Sequence, residues 1–303
     1  MSQGAALVRK PGFRLHRLFE AAPPAPGQDV RGGALPAGLA EHYEGELAIP
    51  LRPDRPTVVA NFVSTLDGVV TFDADGSSGG GEVSGFHEPD RFVMGLLRAL
   101  ADIVLVGAGT VRAAPGHEWT ARHVHPASRP EYEGWRRRMG VASAQPTTVV
   151  VTARGELDPR HPGLSAPDVP VVIATTPMGA QRLGVALAKP NATVEVFSDG
   201  DGVPAAALLR LAGRHGARLV LCEGGPHLIG QLLAARLLDE LFLTLAPQLA
   251  GRDAATPRLS LIEGTAFGVS SAPWAALRSV HRSVDHLFLR YALRPPEGGT
   301  AEQ

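Results

Sequence analysis

The sequence predicts an α/β fold in which a mixed, mostly parallel sheet is flanked by helices and closed by a C-terminal antiparallel hairpin. From about residue 55 onward, short apolar segments typical of buried strands alternate with segments whose apolar residues recur at helical spacing. Strands that alternate with helices form parallel sheets covered on both faces. The last two apolar segments, residues 276–282 and 286–293, are separated only by a short turn, which predicts the hairpin.

The elements follow one another in a regular order. The first half contains a strand at residues 57–63, a glycine-rich loop at 73–85, a helix at 89–101, a strand at 102–106 and a polar excursion at 113–146 with a helix near 130–138. In the second half we expect strands at residues 149–151, 169–174, 193–197, 218–222 and 240–246, and helices near residues 178–188, 204–215 and 226–235.

The domain organisation follows from where this rhythm begins and ends. Residues 1–54 are rich in proline and glycine and are expected to form an irregular N-terminal arm with short ordered pieces at most. Residues 55–295 are expected to form one α/β domain, and residues 296–303 are expected to be a disordered tail. A chain of 303 residues with 44% hydrophobic residues can bury a full core.

Composition excludes several classes of protein. A formal net charge of −1 argues against nucleic acid as a partner, and the single cysteine, Cys222, excludes disulfides. No apolar run approaches the roughly 18 residues of a membrane span, and residues 1–17, which have no apolar core, are not expected to be a secretory signal. The 11 histidines show no metal-binding spacing, so we expect no metal. A cytoplasmic protein is the expectation.

Two glycine-containing turns carry the strongest functional signal. Gly107, Gly109 and Thr110 directly follow the apolar strand 102–106, and Glu223-Gly224-Gly225-Pro226 follows strand 218–222 and opens a helix. Bare backbone N–H groups at a helix N-terminus suit a phosphate, and glycines allow close approach. Each motif by itself is also compatible with a tight strand-to-helix turn. Together, at the carboxyl ends of buried strands, they predict a dinucleotide site.

Four motifs in sequence order carry a resemblance to a known family. They are Asn61-Phe62-Val63-Ser64-Thr65-Leu66-Asp67-Gly68, Val106-Gly107-Ala108-Gly109-Thr110-Val111, Glu223-Gly224-Gly225-Pro226 and Leu238-Asp239-Glu240-Leu241. Over roughly residues 55–293 the chain resembles the pyrimidine reductases of riboflavin synthesis, the reductase half of the bacterial deaminase–reductase, and most of all the stand-alone actinobacterial members. The resemblance implies the fold of dihydrofolate reductase and NADPH as hydride donor.

The resemblance also implies site residues. The predicted cofactor-binding residues are Gly107, Gly109, Thr110, Val111, Thr152, Arg154, Thr175, Glu223, Gly224, Gly225 and Pro226. Arg154 follows the strand that ends near the adenosine 2′-phosphate, and guanidinium grips phosphate well; a solvated loop arginine is the alternative. Thr175 and Thr176 could instead cap the following helix. The predicted substrate-binding residues are Asn61, Ser64, Thr65 and Thr244.

Two carboxylates are candidates for the proton chemistry, since a hydride added to carbon must be matched by a proton on the neighbouring heteroatom. Asp67 lies in the motif that matches the family's substrate loop, although an Asp-Gly turn is common in any protein. Asp90 lies in the first turn of a helix, where dihydrofolate reductases keep their catalytic acid; there a carboxylate also complements the helix dipole. We expect both to be catalytic, with Asp67 the stronger candidate.

Departures from the family leave the substrate open. Val69 stands where the riboflavin reductases usually have lysine, and residues 112–117 replace an acidic Pro-Arg segment that helps to hold the sugar phosphate. A dihydrofolate reductase-like activity, a deazaflavin- or flavin-dependent reductase and a non-catalytic nucleotide-binding protein remain alternatives. We also expect a homodimer, because Leu237 to Leu243 form a long apolar stretch near a predicted sheet edge. Related reductases are dimeric through their C-terminal strands.

Overall fold

The computed structural model describes residues 12–72, 79–141, 143–184, 189–198, 200–256 and 258–294. The predicted tail at 296–303 lies outside these residues. The strands are β1 His16–Glu20, β2 Val30–Gly33, β3 Leu47–Pro50, β4 Thr57–Ser64, β5 Val69–Thr71, β6 Ile103–Gly107, β7 Thr147–Thr152, β8 Val171–Thr175, β9 Ala192–Val196, β10 Leu219–Cys222, β11 Glu240–Leu245, β12 Leu259–Ser260, β13 Ala275–Ser283 and β14 His286–Leu293.

The helices surround these strands. They are α1 Ala37–Ala40, α2 Gly80–Ser84, α3 Glu88–Leu100, α4 Ala108–Ala113, α5 Ala121–Val124, α6 Arg129–Arg138, α7 Pro162–Ser165, α8 Pro177–Leu183, α9 Ala205–Arg214 and α10 Pro226–Ala234.

A ten-stranded mixed sheet forms the centre of the molecule, in the order β1-β13-β14-β11-β4-β10-β6-β7-β8-β9. The strands from β11 to β9 run parallel to one another, whereas β14 is antiparallel to β11 and β13. The predicted mostly parallel sheet with a C-terminal antiparallel hairpin is therefore confirmed. Each predicted strand and helix from residue 57 onward is present, displaced by at most a few residues where the structure describes it.

The two faces of the sheet bury separate clusters of apolar side chains. On one face, Val59 packs in the cluster that contains Phe92 and Leu96 of α3. On the other face, its neighbour Val58 packs in the cluster that contains Leu208 of α9. Because successive side chains of a strand point to opposite faces, the continuous apolar sequence of β4 serves both clusters.

The N-terminal arm differs from the prediction. Within the described part of residues 1–54 it is not irregular: it contains β1, β2, β3 and α1, and β1 adds to the central sheet beside β13. Its apolar side chains, including Leu15, Leu39 and Ile49, lie in the same buried cluster as α3. The prolines and glycines separate short strands here, so composition alone concealed the pattern. Residues 12–54 therefore share a core with the rest of the described chain.

The predicted free edge near residues 237–243 is also wrong. Strand β11 pairs with β14 on one side and with β4 on the other, so its backbone has no unpaired edge. The edges of the ten-stranded sheet are β1 and β9. The long apolar sequence of β11 reflects an interior position in the sheet rather than an edge.

Candidate active site

A cavity of about 1050 Å³ lies at the carboxyl ends of the parallel strands. Its wall includes Asn61 on β4, Gly107 at the end of β6, Val151 on β7 and Glu223 after β10. In open parallel sheets this end is where ligands bind, because the loops that follow the strands meet there. The volume lies at the upper end for ligand pockets and is large enough for a cofactor and a substrate together.

The two glycine turns meet in this cavity. The N–H of Gly107 donates to the carbonyl oxygen of Gly224 at 2.8 Å, since β6 and β10 are neighbours in the sheet. Gly224 has a φ of 134°, and a Cβ there would lie 2.7 Å from Oγ1 of Thr110. A side chain at Gly224 is thus excluded both by backbone conformation and by space. Gly109 has nothing within 4 Å of where its Cβ would be, which leaves its backbone open to a ligand.

A buried ion pair between Arg98 and Glu223 holds the second glycine turn. Nε and Nη2 of Arg98, on α3, donate to the Glu223 carboxylate at 2.6–3.1 Å. The two side chains are only 1% and 4% exposed. Glu223 was predicted to bind the cofactor; it lines the cavity, and its carboxylate is hydrogen-bonded to Arg98.

Asp90 lies in the cavity wall and is a buried acid. It is 5% exposed, in the first turn of α3. Burial raises the pKa of Asp90 to about 6, and the negative charge of Glu223 adds to the rise, while hydrogen bonds with the Thr244 and Ser84 side chains oppose it. A carboxyl group with this pKa can hold a proton near neutral pH and transfer it.

Asp67 has different surroundings. It is exposed and lies outside the set of residues that line the cavity. Its carboxylate accepts hydrogen bonds from Oγ1 of Thr65 at 2.5 Å and from the N–H groups of Ala250 and Gly251 at 3.1 and 2.6 Å. These hydrogen bonds lower the pKa of Asp67 to about 2, and the bond from Thr65 has the largest effect. Its geometry is that of an ionised carboxylate that ties the turn after β4 to the loop after β11.

The other predicted substrate residues divide between the wall and the layer behind it. Asn61 lines the cavity. Thr244 on β11 lies behind the wall, bonded to Asp90. Thr65 is fully buried and holds Asp67, and Ser64 is buried next to it. None of these three hydroxyl residues is among those that line the cavity.

The predicted cofactor residues divide in the same way. Gly107, Gly109, Thr110, Glu223, Gly224, Gly225 and Pro226 line the cavity. Val111 is buried in the core, and Oγ1 of Thr152 accepts from the N–H of Gly155. Thr175 is fully buried, and it is Thr176 that caps α8 through Gly179 N–H. Arg154 is not among the residues that line the cavity; its side chain is 67% exposed, and Glu156 Oε1 lies 3.8 Å from its Nε.

Several wall residues were missed from the sequence. They include Phe86, Arg91, Arg98, His117 and His123. Arg98 stands in the last turn of a helix, where a basic residue has an ordinary explanation in the helix dipole. The histidines lie in the polar excursion, where no periodic pattern marks them. In the ranges that the structure describes, no three His, Cys, Asp or Glu side chains are grouped to hold a metal, and no described helix is long and apolar enough to cross a membrane.

A mixed sheet with two facing glycine turns and a buried acid in one cavity defines a nucleotide-dependent reductase. The RibD C-terminal domain family matches residues 56–270. The chain therefore belongs to that family, the pyrimidine reductases of riboflavin biosynthesis, and is an NADPH-dependent oxidoreductase.

One curated protein and two solved structures are similar to this chain. The chain is 29% identical over 203 residues to the 2,5-diamino-6-ribosylamino-4(3H)-pyrimidinone 5′-phosphate reductase of Archaeoglobus fulgidus, covering 67% of this chain and 85% of that one. A pyrimidine reductase-like protein from Corynebacterium diphtheriae has a TM-score of 0.62 at 21% identity, covering 79% of this chain and 92% of that chain. RibD of Acinetobacter baumannii has a TM-score of 0.59 at 21% identity, covering 80% and 59%. At these identities the two structures show a shared fold.

Proposed function

We propose that this protein uses NADPH to reduce the ribosylamino side chain of a phosphorylated pyrimidine, as a 5-amino-6-(5-phosphoribosylamino)uracil reductase does. The observation that carries the proposal is the buried acid Asp90, with its pKa raised to about 6, in one cavity with the two glycine turns. The Archaeoglobus fulgidus relative is named for a ribosylamino-pyrimidinone phosphate, which supports this class of substrate.

The residues present fit NADPH. Gly107, Gly109 and the Gly224-Gly225 turn offer backbone without side chains, and Thr110 adds a hydroxyl in the cavity wall. These groups would hold the phosphates, because bare N–H groups and hydroxyls are good phosphate donors. When bound by these residues, NADPH would supply the hydride for the sugar C1 carbon.

The chain itself would supply the proton. As a hydride adds to C1, the bond from C1 to its heteroatom breaks (the π bond of the open-chain imine or the ring C1–O bond), and Asp90, protonated below about pH 6, would donate the proton to that heteroatom. Thr244 and Ser84 hold its carboxyl group in place. Asp67 is proposed to act on the loop that follows β11, in keeping with its bonds to Ala250 and Gly251.

The direct test follows NADPH oxidation with three separate acceptors: the phosphoribosylaminouracil, the 2,5-diamino-ribosylamino-pyrimidinone phosphate and dihydrofolate. Turnover with either ribosylamino compound supports the proposal, and turnover with dihydrofolate alone contradicts it. Replacing NADPH by NADH or by a reduced deazaflavin identifies the hydride carrier. A chain that binds NADPH but reduces none of the three would be a nucleotide-binding protein without this activity.

Arg154→Ala should reduce the preference for NADPH over NADH. The Arg154 guanidinium is exposed at the end of β7 and only loosely paired with Glu156, so it is free to meet a 2′-phosphate. We expect the difference in binding free energy between NADPH and NADH to shrink by about 1.5–3 kcal/mol, the size of a charged hydrogen bond. This corresponds to roughly 10- to 150-fold in relative affinity. Isothermal titration with both cofactors measures it. The nearby Arg160→Ala, whose guanidinium is paired with Asp158, is the control and should change nothing; equal wild-type affinities would contradict the proposal.

We further propose a homodimer formed through the uncovered face of the antiparallel strands. In one row across these strands, Leu243, Leu289, Val280 and Phe19 are cross-strand partners, and all of them are half-buried or exposed. Side chains paired in this way point to the same face of a sheet. An apolar row left partly exposed on a monomer is typical of an interface.

Leu289→Asp should therefore convert the dimer to a monomer. Sedimentation of the wild type is expected to give twice 31.7 kDa, and the variant 31.7 kDa, because a charge in the centre of an apolar interface loses its water. Leu249→Asp, at a residue that is 75% exposed elsewhere, is the matched control and should stay dimeric. A wild type that sediments only as a 31.7 kDa species at micromolar concentration would remove the proposal. We also infer a cytoplasmic enzyme that needs neither nucleic acid nor membrane.

A further inference from the structure

We propose, building on the reductase function above, that His117 is a specificity-determining residue that donates a hydrogen bond from Nδ1 to an oxygen of the substrate. His117 belongs to the segment after Val111 in which this chain departs from the acidic Pro-Arg sequence of the riboflavin reductases. It lies in the cavity wall, on the side formed by that segment together with His123. A histidine in this segment supplies a substrate contact of a different chemical kind from that of the acidic Pro-Arg sequence.

The state of His117 is set by Arg98. Nε of Arg98 donates to Glu223, and Nη1 donates to the carbonyl oxygens of Glu118 and Thr120, each at 3.1 Å. Nη2 donates to Glu223 and contacts Nε2 of His117 at 2.8 Å. All five N–H groups of the guanidinium are thereby used, and none of them is left for a substrate.

The contact with Arg98 fixes which nitrogen of His117 carries the proton. A guanidinium has no acceptor atom, so Nε2 of His117 must accept, and the proton must sit on Nδ1. Burial, followed by the positive charge of Arg98, lowers the pKa of His117 to about 2. The neighbouring cations and imidazoles, Arg91, His123 and His161, act in the same direction. His117 is therefore a neutral donor over the whole physiological pH range.

The Nδ1–H group is left for a ligand. Among the described residues, the His117 ring has a hydrogen-bond partner at Nε2 and none at Nδ1. The ring packs edge-on against Trp119 and His123 at centroid distances of 5.3 and 4.7 Å. A ring held on two sides by aromatic neighbours and at Nε2 by a buried guanidinium has one orientation, which is the preorganisation that recognition needs. A neutral, fixed N–H reads a carbonyl, hydroxyl or phosphate oxygen and cannot exchange its proton with the substrate at neutral pH.

The experiment compares His117→Phe with His117→Asn. Phenylalanine keeps the ring packing but has no donor, so we expect KM for the phosphorylated pyrimidine to rise about 10-fold or more, the scale of one lost hydrogen bond in a closed site. We expect kcat to change less than about threefold and the NADPH dissociation constant to be unchanged. Asparagine can accept from Arg98 through Oδ1 and donate through Nδ2, so it should restore much of the lost affinity. His215→Asn, at an exposed histidine after α9, is the matched control.

A spectroscopic measurement tests the protonation state separately. The ¹⁵N shifts of His117 should show a protonated Nδ1 and an unprotonated Nε2, without titration between about pH 5 and pH 8. An unprotonated Nδ1 would overturn the inference. So would an unchanged KM in His117→Phe in an enzyme that turns over the pyrimidine, or a parallel loss of NADPH affinity, which would indicate a structural role. A wild type without turnover on the pyrimidine overturns the proposed function, and with it the inference.

Discussion

Asp90→Asn is expected to lower kcat about 10²- to 10⁴-fold, the range for losing acid–base assistance. Asparagine has the same shape, and its amide can still bond to Thr244 and Ser84, but it has no transferable proton. The NADPH dissociation constant should stay within about threefold of the wild type, because the glycine turns are untouched. Stopped-flow measurement of NADPH oxidation in a single turnover separates this chemical step from binding.

The pH profile gives the same prediction a second readout. Desolvation raises the pKa of Asp90 to about 6, so the protonated, donating form predominates below pH 6 and is lost as the pH rises through that value. In the wild type, kcat/KM should therefore fall about tenfold per pH unit well above pH 6. The residual activity of Asp90→Asn should lack this fall. An Asp90→Asn variant that keeps both the rate and the slope would contradict the role of Asp90.

Asp67→Asn provides the matched control. Its carboxylate is already ionised and occupied by Thr65, Ala250 and Gly251, with a pKa lowered to about 2. It is not available as an acid at neutral pH, and we expect kcat to change less than about threefold. A large fall in kcat for Asp67→Asn, with normal turnover in Asp90→Asn, would reverse the assignment of the two carboxylates.

Arg98→Met is expected to reduce the free energy of unfolding by about 3–5 kcal/mol, the usual effect of breaking a buried ion pair from one side. The variant leaves Glu223 buried at 4% exposure without its cation. It also removes donors from the carbonyl oxygens of Glu118 and Thr120 and from His117. Urea denaturation followed by circular dichroism measures the change.

The control for this prediction is an ion pair near the surface. Arg122 pairs with Asp168, whose side chain is 54% exposed. Arg122→Met should therefore lower the free energy of unfolding by only about 0–1 kcal/mol. In the double variant Arg98→Met, Glu223→Gln, the free energy of unfolding should fall by less than the sum of the decreases in the two single variants, since neither partner is then a buried unpaired charge. Equal losses for Arg98→Met and Arg122→Met would contradict the structural role given to the Arg98–Glu223 pair.

The glycine turns and Asp90 illustrate what local sequence can predict. Each turn follows an apolar strand directly, and Asp90 stands in the first turn of an amphipathic helix, so their positions depend on neighbours in the chain. The motif Asn61 to Gly68 is also recognised from adjacent residues, but the role of Asp67 within it is not. Whether Asp67 faces the cavity depends on the loop at Ala250 and Gly251, more than 180 residues away.

The N-terminal arm and β11 illustrate the same limit at the level of the fold. A short strand such as β1 has little signal of its own and is stabilised by pairing with β13, at the other end of the chain. An apolar strand such as β11 has the same appearance at an edge and in the interior of a sheet, and only its partners β14 and β4 distinguish the two positions.

By itself, the sequence determined the strand–helix alternation, the family and the two glycine turns, because periodicity and turn chemistry act between residues close in the chain. Only the tertiary structure decided which carboxyl group is buried with a raised pKa, which glutamate is paired with Arg98, and how His117 is held. Those properties depend on desolvation and on hydrogen bonds between distant segments, as with Arg98 and Glu223, which are 125 residues apart. Burial is a property of the assembled core, and no pattern along the chain records it.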